Sequence, residues 1–447
     1  MRDAPAAPHV LLTDLYQINM LQAYWREGMR DEAVFSLLLR RLPERRNYVL
    51  ACGLDDALGV LESLRFADAD LTYLASLGTY DDGFLAWLRG LRFTGSVRAV
   101  PDGTPIFPFE PILEVAAPIA EAQLAESLVM NQVHLQTVLA TKAARVVHAA
   151  RGRTVVDFGM RRMHGADAAL KGARAFYVAG VDATSNVRAG QVYGIPVAGT
   201  MAHSYVQAHE READAFRAFA ELYPETILLV DTYDTLAGVE KAIALCRSLG
   251  SDLRIRGIRL DSGDLADLAR RARALLDRAG LPELRIFASG DLDEERITAL
   301  LDVGAPIDAF GVGTRMGISA DAPSLDLAYK LVEYAGRGRL KTSTGKATLP
   351  GRKQVFRREE AGVAVGDALT LCDERVDGRP LLEPVMSGGK RLEAGRRSLA
   401  EARARAGAEI ARLPPRLRSI EPARPPYPVE TSETLRAAER LIASRAP

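Results

Sequence analysis

A chain of 447 residues is too long for one ordinary globular domain and implies two or three. With 48% hydrophobic and 26% charged residues it has the balance of a soluble protein with a large core, which excludes the disordered, coiled-coil and collagen-like classes. Lys+Arg 58 against Asp+Glu 58 leaves no net charge, so bulk electrostatics favours neither nucleic acid nor an anionic membrane; a polyanionic ligand must be held by local arginines and backbone amides.

Cys52, Cys246 and Cys372 are scattered, odd in number and without metal-ligand spacing, as expected in a reducing compartment. Residues 1–8 lack the apolar core of a signal peptide, and no apolar run approaches ~18 residues. The expectation is a cytoplasmic protein without membrane or nucleic-acid partners.

Along the chain, residues 1–115 read as an N-terminal α+β domain. Residues 13–25 (TDLYQINMLQAYW) have a Thr-Asp start and helical spacing of apolar positions. Residues 97–112 (VRAVPDGTPIFPFEPI) read as strands joined by tight turns. In residues 116–335 a long helical pattern over 120–150 precedes seven short β-rich runs, at 154–158, 175–179, 195–199, 227–231, 255–260, 285–288 and 307–312. Their spacing is that of βα units, and several are apolar throughout, as parallel strands buried on both faces require. An open doubly wound sheet fits the alternation too. Polar or glycine clusters at nearly every run's C-terminal end favour a barrel, whose active site lies on that rim. The expected class is therefore α/β: an incomplete seven-stranded α/β barrel. Residues 336–447 read as a C-terminal extension with a basic loop, an Arg/Ala/Glu helix over 392–413, a Pro-rich extended arm over 413–429 and a last helix.

Several rim positions could carry chemistry. Arg161 and Arg162 follow Asp157-Phe-Gly and suit an anionic ligand, or are a solvated surface pair. His203 stands just beyond a strand, where an imidazole serves as base, metal ligand or phosphoryl acceptor, or is structural. Arg259-Leu-Asp261-Ser-Gly-Asp264 offers a guanidinium and two carboxylates at a strand end. These suit ribose hydroxyls or magnesium, although capping by Asp261 or Ser262, with Asp264 favouring the helix dipole, accounts for one or two of them. Ser289-Gly-Asp291 ends the next run. Gly311-Val-Gly313-Thr314 ends the last; its glycines and amides suit a phosphate, or only a tight strand exit. No His/Cys/Asp spacing suggests zinc.

Taken together, Thr13-Asp-Leu-Tyr16, Asp157-Phe-Gly-Met-Arg-Arg162, Gly199-Thr-Met-Ala-His203, Arg259-Leu-Asp-Ser-Gly-Asp264 and Gly311-Val-Gly-Thr314 resemble, in order, the motifs of nicotinate phosphoribosyltransferases. The resemblance covers roughly residues 10–356, including Thr348-Leu-Pro-Gly-Arg-Lys353. It implies a type II phosphoribosyltransferase fold and a homodimer. The reaction implied joins nicotinate to phosphoribosyl pyrophosphate (PRPP), with ATP as co-substrate and Mg2+ present, in NAD salvage. By the same resemblance Tyr16, Thr200 and Arg259 contact nicotinate, Thr314 contacts PRPP, and Gly311 and Gly313 shape the phosphate cradle. His203 matches a phosphorylated histidine; Asp261, Asp264, Ser289 and Asp291 fall near the ribose and magnesium, and no metal ligand is singled out. Related nicotinamide-specific enzymes carry a carboxylate where this chain, aligned on Ala189-Gly190, has Ser185 and Asn186, so nicotinate is the expected pyridine. Asp182 is close in sequence and would spoil that alignment if it pointed into the pocket. The competing readings are a nicotinamide or quinolinate enzyme on the same fold, and a non-catalytic barrel that binds NAD precursors.

Overall fold

The computed structural model describes residues 9–249, 255–341 and 348–444; part of the expected basic loop, 342–347, lies outside them. The chain divides into two compact units: residues 3–141 with 324–447, and residues 142–323. This differs from the three zones expected, because the C-terminal third completes the N-terminal unit.

The reason is strand pairing. Glu32–Leu39 is buried at every position after the first, the signature of a central strand covered on both faces. It pairs antiparallel with Pro111–Pro118 on one side and with Leu327–Tyr334 on the other. Ser96–Ala99 then pairs with Pro111–Pro118 and with Glu383–Ser387. Three N-terminal strands thus form the middle of a seven-stranded sheet whose flanks are C-terminal. The first helix runs over Leu15–Glu27 and stops at Gly28, whose φ of 68° supplies the left-handed cap.

The C-terminal zone also holds a four-stranded sheet that sequence reading did not anticipate. Lys353–Glu360 and Val363–Leu371 form an antiparallel hairpin, and Val429–Thr431 adds in parallel. The Pro-rich arm is not extended throughout: it opens with a short helix, Pro415–Arg418. Tyr427 fastens it, donating its hydroxyl to Asp367 at 2.7 Å and stacking on Phe107 with ring centroids 3.8 Å apart.

The second unit carries a curled, open parallel sheet. Its order is Ala183–Thr184, Thr154–Asp157, Ala309–Val312, Arg285–Ala288, Gly257–Leu260, Ile227–Leu229. Six strands replace the seven expected. Residues 175–179 end the helix Ala166–Val178 instead, burying Ala175, Phe176 and Val178; so short an apolar run fits a buried helical turn as well as a strand. Residues 195–199 supply only a bridge, Val197 to Thr184. Among the described residues no helix is long and apolar enough to cross a membrane.

Candidate active site

Parallel strands end in step, so the residues that follow them gather at one edge of the sheet. Arg259, in the strand Gly257–Leu260, is the hub. Its Nε donates to Ser289 Oγ at 2.8 Å, Nη1 to Thr200 Oγ1 at 3.0 Å and to the Met201 carbonyl at 3.4 Å, and Nη2 to Asp261 Oδ1 at 2.8 Å. Its Cζ lies 5.3 Å from the centre of the Phe158 ring. A guanidinium has five N–H groups; four are engaged here, and the remaining one is on Nη2.

Asp261 links this hub to His203. Its Oδ1 also accepts from Ser289 Oγ, and Oδ2 stands 3.6 Å from His203 Nε2. Burial pushes the Asp261 carboxyl up, but the bonds from Ser289 and Arg259, with the Arg259 charge, outweigh it and hold the pKa below the ordinary carboxylate value. His203 Nδ1 meets Thr232 Oγ1 at 3.1 Å. Asp231, which sequence reading passed over, supports the same loop: its Oδ2 accepts from the Asp261 amide at 2.9 Å and from Ser262 Oγ at 2.6 Å. Its place after the apolar run Ile-Leu-Leu-Val was the available signal. Phe158 was missed too, although it lies inside the quoted Asp157-Phe-Gly motif.

Two glycines are dictated by close approach. Gly290 has φ 95°, and a Cβ there would lie 1.9 Å from the Asp261 carbonyl oxygen. Gly290→Ala combines left-handed strain with a backbone clash, on the order of 3 kcal/mol. For a unit of this size that is a fall in Tm of about 6–12 °C; an unchanged thermal midpoint refutes this packing. Gly311 is buried, and a Cβ on it would come within 2.6 Å of the Phe158 ring and 2.8 Å of the Phe287 ring. Glycine there lets the two aromatic rings seat against the strand. Gly313 and Thr314, at the strand exit, are half-buried.

The other expected residues stand around this hub or apart from it. Asp264 caps the helix Leu265–Arg278, its Oδ1 accepting from the Ala266 and Asp267 amides, so the cap belongs to Asp264 and not to Asp261 or Ser262. Asp291 is held by Arg315 at 2.9 and 3.0 Å and by Arg296 at 3.1 Å; the hydrogen bond from Arg315 keeps its carboxyl below the usual range. Arg161 and Arg162 lie on the exposed turn Met160–Arg162. A cavity of about 660 Å³ opens beside them, lined by Arg161, Met163, Asn186 and Arg188; another of about 560 Å³ brings Asp261, Asp264 and Asp291 together with Gly290 and Arg296. Asn186 is buried and spends its amide on the backbone, accepting from Ala189 N at 3.1 Å and donating to Ala169 O at 3.2 Å. Each end of the amide keeps one further bond to make, and Asn186 lines the cavity beside Arg161, with half-buried Ser185 before it in sequence. Asp182 accepts from the Val155 amide at 2.9 Å, at the start of a strand and so away from the rim. Tyr16 belongs to the other unit, on the helix Leu15–Glu27. Burial and the Glu126 charge push its phenol up to about 12, so it stays neutral, a hydrogen-bond donor.

Among the described residues no three His, Cys, Asp or Glu side chains gather as a metal site, and the carboxylates of Asp261 and Asp291 both face guanidiniums. The donor set builds no cage for a protein-held magnesium ion.

Residues 11–134 match the family model of the nicotinate phosphoribosyltransferase N-terminal domain, and residues 154–348 that of the nicotinate phosphoribosyltransferase family. A nicotinate phosphoribosyltransferase of Mycobacterium tuberculosis is 55% identical, with 95% of this chain and 92% of that protein covered. One from Bacillus subtilis is 44% identical over 82% of this chain and 77% of its own length. The crystal structure of human nicotinic acid phosphoribosyltransferase superposes with a TM-score of 0.86 at 32% identity, covering 97% of this chain and 100% of that one.

Proposed function

The chain belongs to the nicotinate phosphoribosyltransferase family, and on that footing we propose that its rim joins nicotinate to PRPP, giving nicotinate mononucleotide and pyrophosphate in NAD salvage. One observation carries the reading at the level of residues: Arg259 is fixed by four hydrogen bonds, lies beside the Phe158 ring and keeps one N–H to give. That arrangement suits a flat aromatic carboxylate, its ring near Phe158 and one oxygen on Nη2.

In the transfer the pyridine nitrogen forms a bond to the anomeric carbon while the bond from that carbon to pyrophosphate oxygen breaks. The leaving group takes the electron pair, and no proton has to move. Such a displacement passes through an oxocarbenium-like state, so the protein's work is positioning and charge. Arg259 and Thr200 orient nicotinate. Arg161, Arg162, Gly313 and Thr314 take PRPP oxygens, and Asp261 Oδ2, Ser289 and Asp291 remain for the ribose side. Magnesium enters with PRPP, as counter-ion of its pyrophosphate. ATP is a second co-substrate through His203, and the working form is a homodimer, which sedimentation of the purified chain tests.

The assay for the whole reading is pyrophosphate release with PRPP, magnesium and ATP across nicotinate, nicotinamide and quinolinate. Nicotinate should be turned over best; preference for another pyridine, or no turnover, overturns it. Pyridine choice itself is expected to follow Ser185. A carboxylate a few ångströms from the nicotinate anion costs about 1 kcal/mol in water-like surroundings and more where water is excluded. Ser185→Asp should therefore lower kcat/KM for nicotinate at least about 5-fold, and equal use of nicotinate by this variant and the parent removes Ser185 from the site.

A further inference from the structure

The first unit holds a cavity of about 570 Å³ that the transfer chemistry does not use. Its walls include Tyr24, Trp25, Trp87 and Leu91, and two guanidiniums, Arg30 and Arg92, stand among the lining residues. Trp25 and Trp87 are the chain's two tryptophans. Both indoles pack on the buried ring of Phe84, at 6.0 and 5.8 Å between centroids, so the aromatic wall is held from behind.

The polar groups favour a negative ligand. Arg30 is exposed and, among the described residues, has neither an ion pair nor a hydrogen bond. Arg92 donates only to backbone carbonyls, of Leu91 at 2.7 Å and Arg89 at 3.1 Å. The one carboxylate, Glu121, is buried and occupied by Thr94, whose amide donates to it at 2.6 Å. Two cations with side-chain bonds still to make therefore face a carboxylate already satisfied. Aromatic walls with a few convergent polar groups, at this volume, are the usual make-up of a small-molecule site.

We propose that this cavity is a second ligand site, which takes a small aromatic monoanion with its ring against the indoles and its carboxylate on Arg30. Tyr24 and Trp25 lie on the helix Leu15–Glu27, which also carries Tyr16.

Because both tryptophans line the cavity, intrinsic indole fluorescence reports on it directly. Benzoate is the probe and benzamide its uncharged counterpart. Benzoate should change the emission saturably, and benzamide should bind at least about 10-fold more weakly, the least that losing a charge-assisted bond implies. Arg30→Gln should weaken benzoate by a similar factor and Arg30→Lys should restore part of it, while Arg259→Ala, which alters the rim, should leave the titration unchanged. Absence of a saturable change up to roughly 10 mM overturns the proposal. So does an equal response to benzamide, unaltered binding in Arg30→Gln, or loss of the signal in Arg259→Ala.

Discussion

Arg259→Ala is expected to reduce kcat/KM for nicotinate by more than the loss of one contact. The charge-assisted bond to the substrate carboxylate is worth about 1.5–3 kcal/mol, or roughly 10- to 150-fold. The same guanidinium also ties Thr200, the Met201 carbonyl, Ser289 and Asp261 together, and its removal frees all four. A displacement of about 1 Å at a reacting centre costs on the order of 100-fold by itself, so the combined loss should approach a thousandfold or more. Arg259→Lys keeps the charge but cannot reproduce a planar fork with four separate partners, and should recover only a small part. Steady-state kinetics with nicotinate as the varied substrate reads this out, and a kcat/KM within threefold of the parent would remove Arg259 from the site.

His203→Ala should abolish ATP hydrolysis while leaving some basal transfer. In the tautomer whose Nδ1–H donates to Thr232 Oγ1, 3.1 Å away, the ring lone pair lies on Nε2, 3.6 Å from Asp261 Oδ2. In the proposed coupling Nε2 would attack the terminal phosphorus of ATP, the N–P bond forming as the bond to ADP oxygen breaks, and water would later release phosphate. The dianion so created stands next to Asp261 and adds three acceptors at the rim, which would alter how the rim receives the pyrophosphate of PRPP. Labelled ATP should leave an acid-labile label on the parent chain and none on the variant. ATP stimulation that survives in His203→Ala would refute the assignment. Thr232→Val, which removes the partner that sets the tautomer, should slow phosphorylation while leaving transfer without ATP near the parent level.

The rim was legible in the sequence because a short parallel strand has a simple form, an apolar run followed at once by polar residues. Asp157, Asp231 and Ser289 follow that rule, whereas Arg259 sits inside its strand, one residue before the end. The contacts among them were not legible, since Arg259 and Thr200 are 59 positions apart and nothing local pairs them. Asp264 caps a helix through Oδ1 and also lines the cavity beside Asp261; a helix cap and a ligand carboxylate have the same sequence signature. The hairpin over Lys353–Glu360 and Val363–Leu371 was hidden for a different reason. Lys353 and Arg357 are buried at 0% and 1% exposure, matched by Glu114 and Asp367, so the inward face of the strand is charged and reads as a solvated surface. Paired charges of this kind are stable only when complete, and their partners come from distant segments.

The pairing order of the first unit bears on how the chain is made. Its three N-terminal strands are complete by residue 118, but the strands that flank them on both sides begin at residues 327 and 383. At about 5–20 residues per second the ribosome takes roughly 10–40 s to pass from residue 141 to residue 324. During that interval the second unit can close, whereas Glu32–Leu39, apolar and buried on both faces in the finished molecule, has an unpaired edge. Such an edge is a template for pairing with other chains. Nascent chains arrested before residue 324 should therefore recruit holdase chaperones at their N-terminal segment, and chains arrested after the whole of 324–447 has emerged should release them.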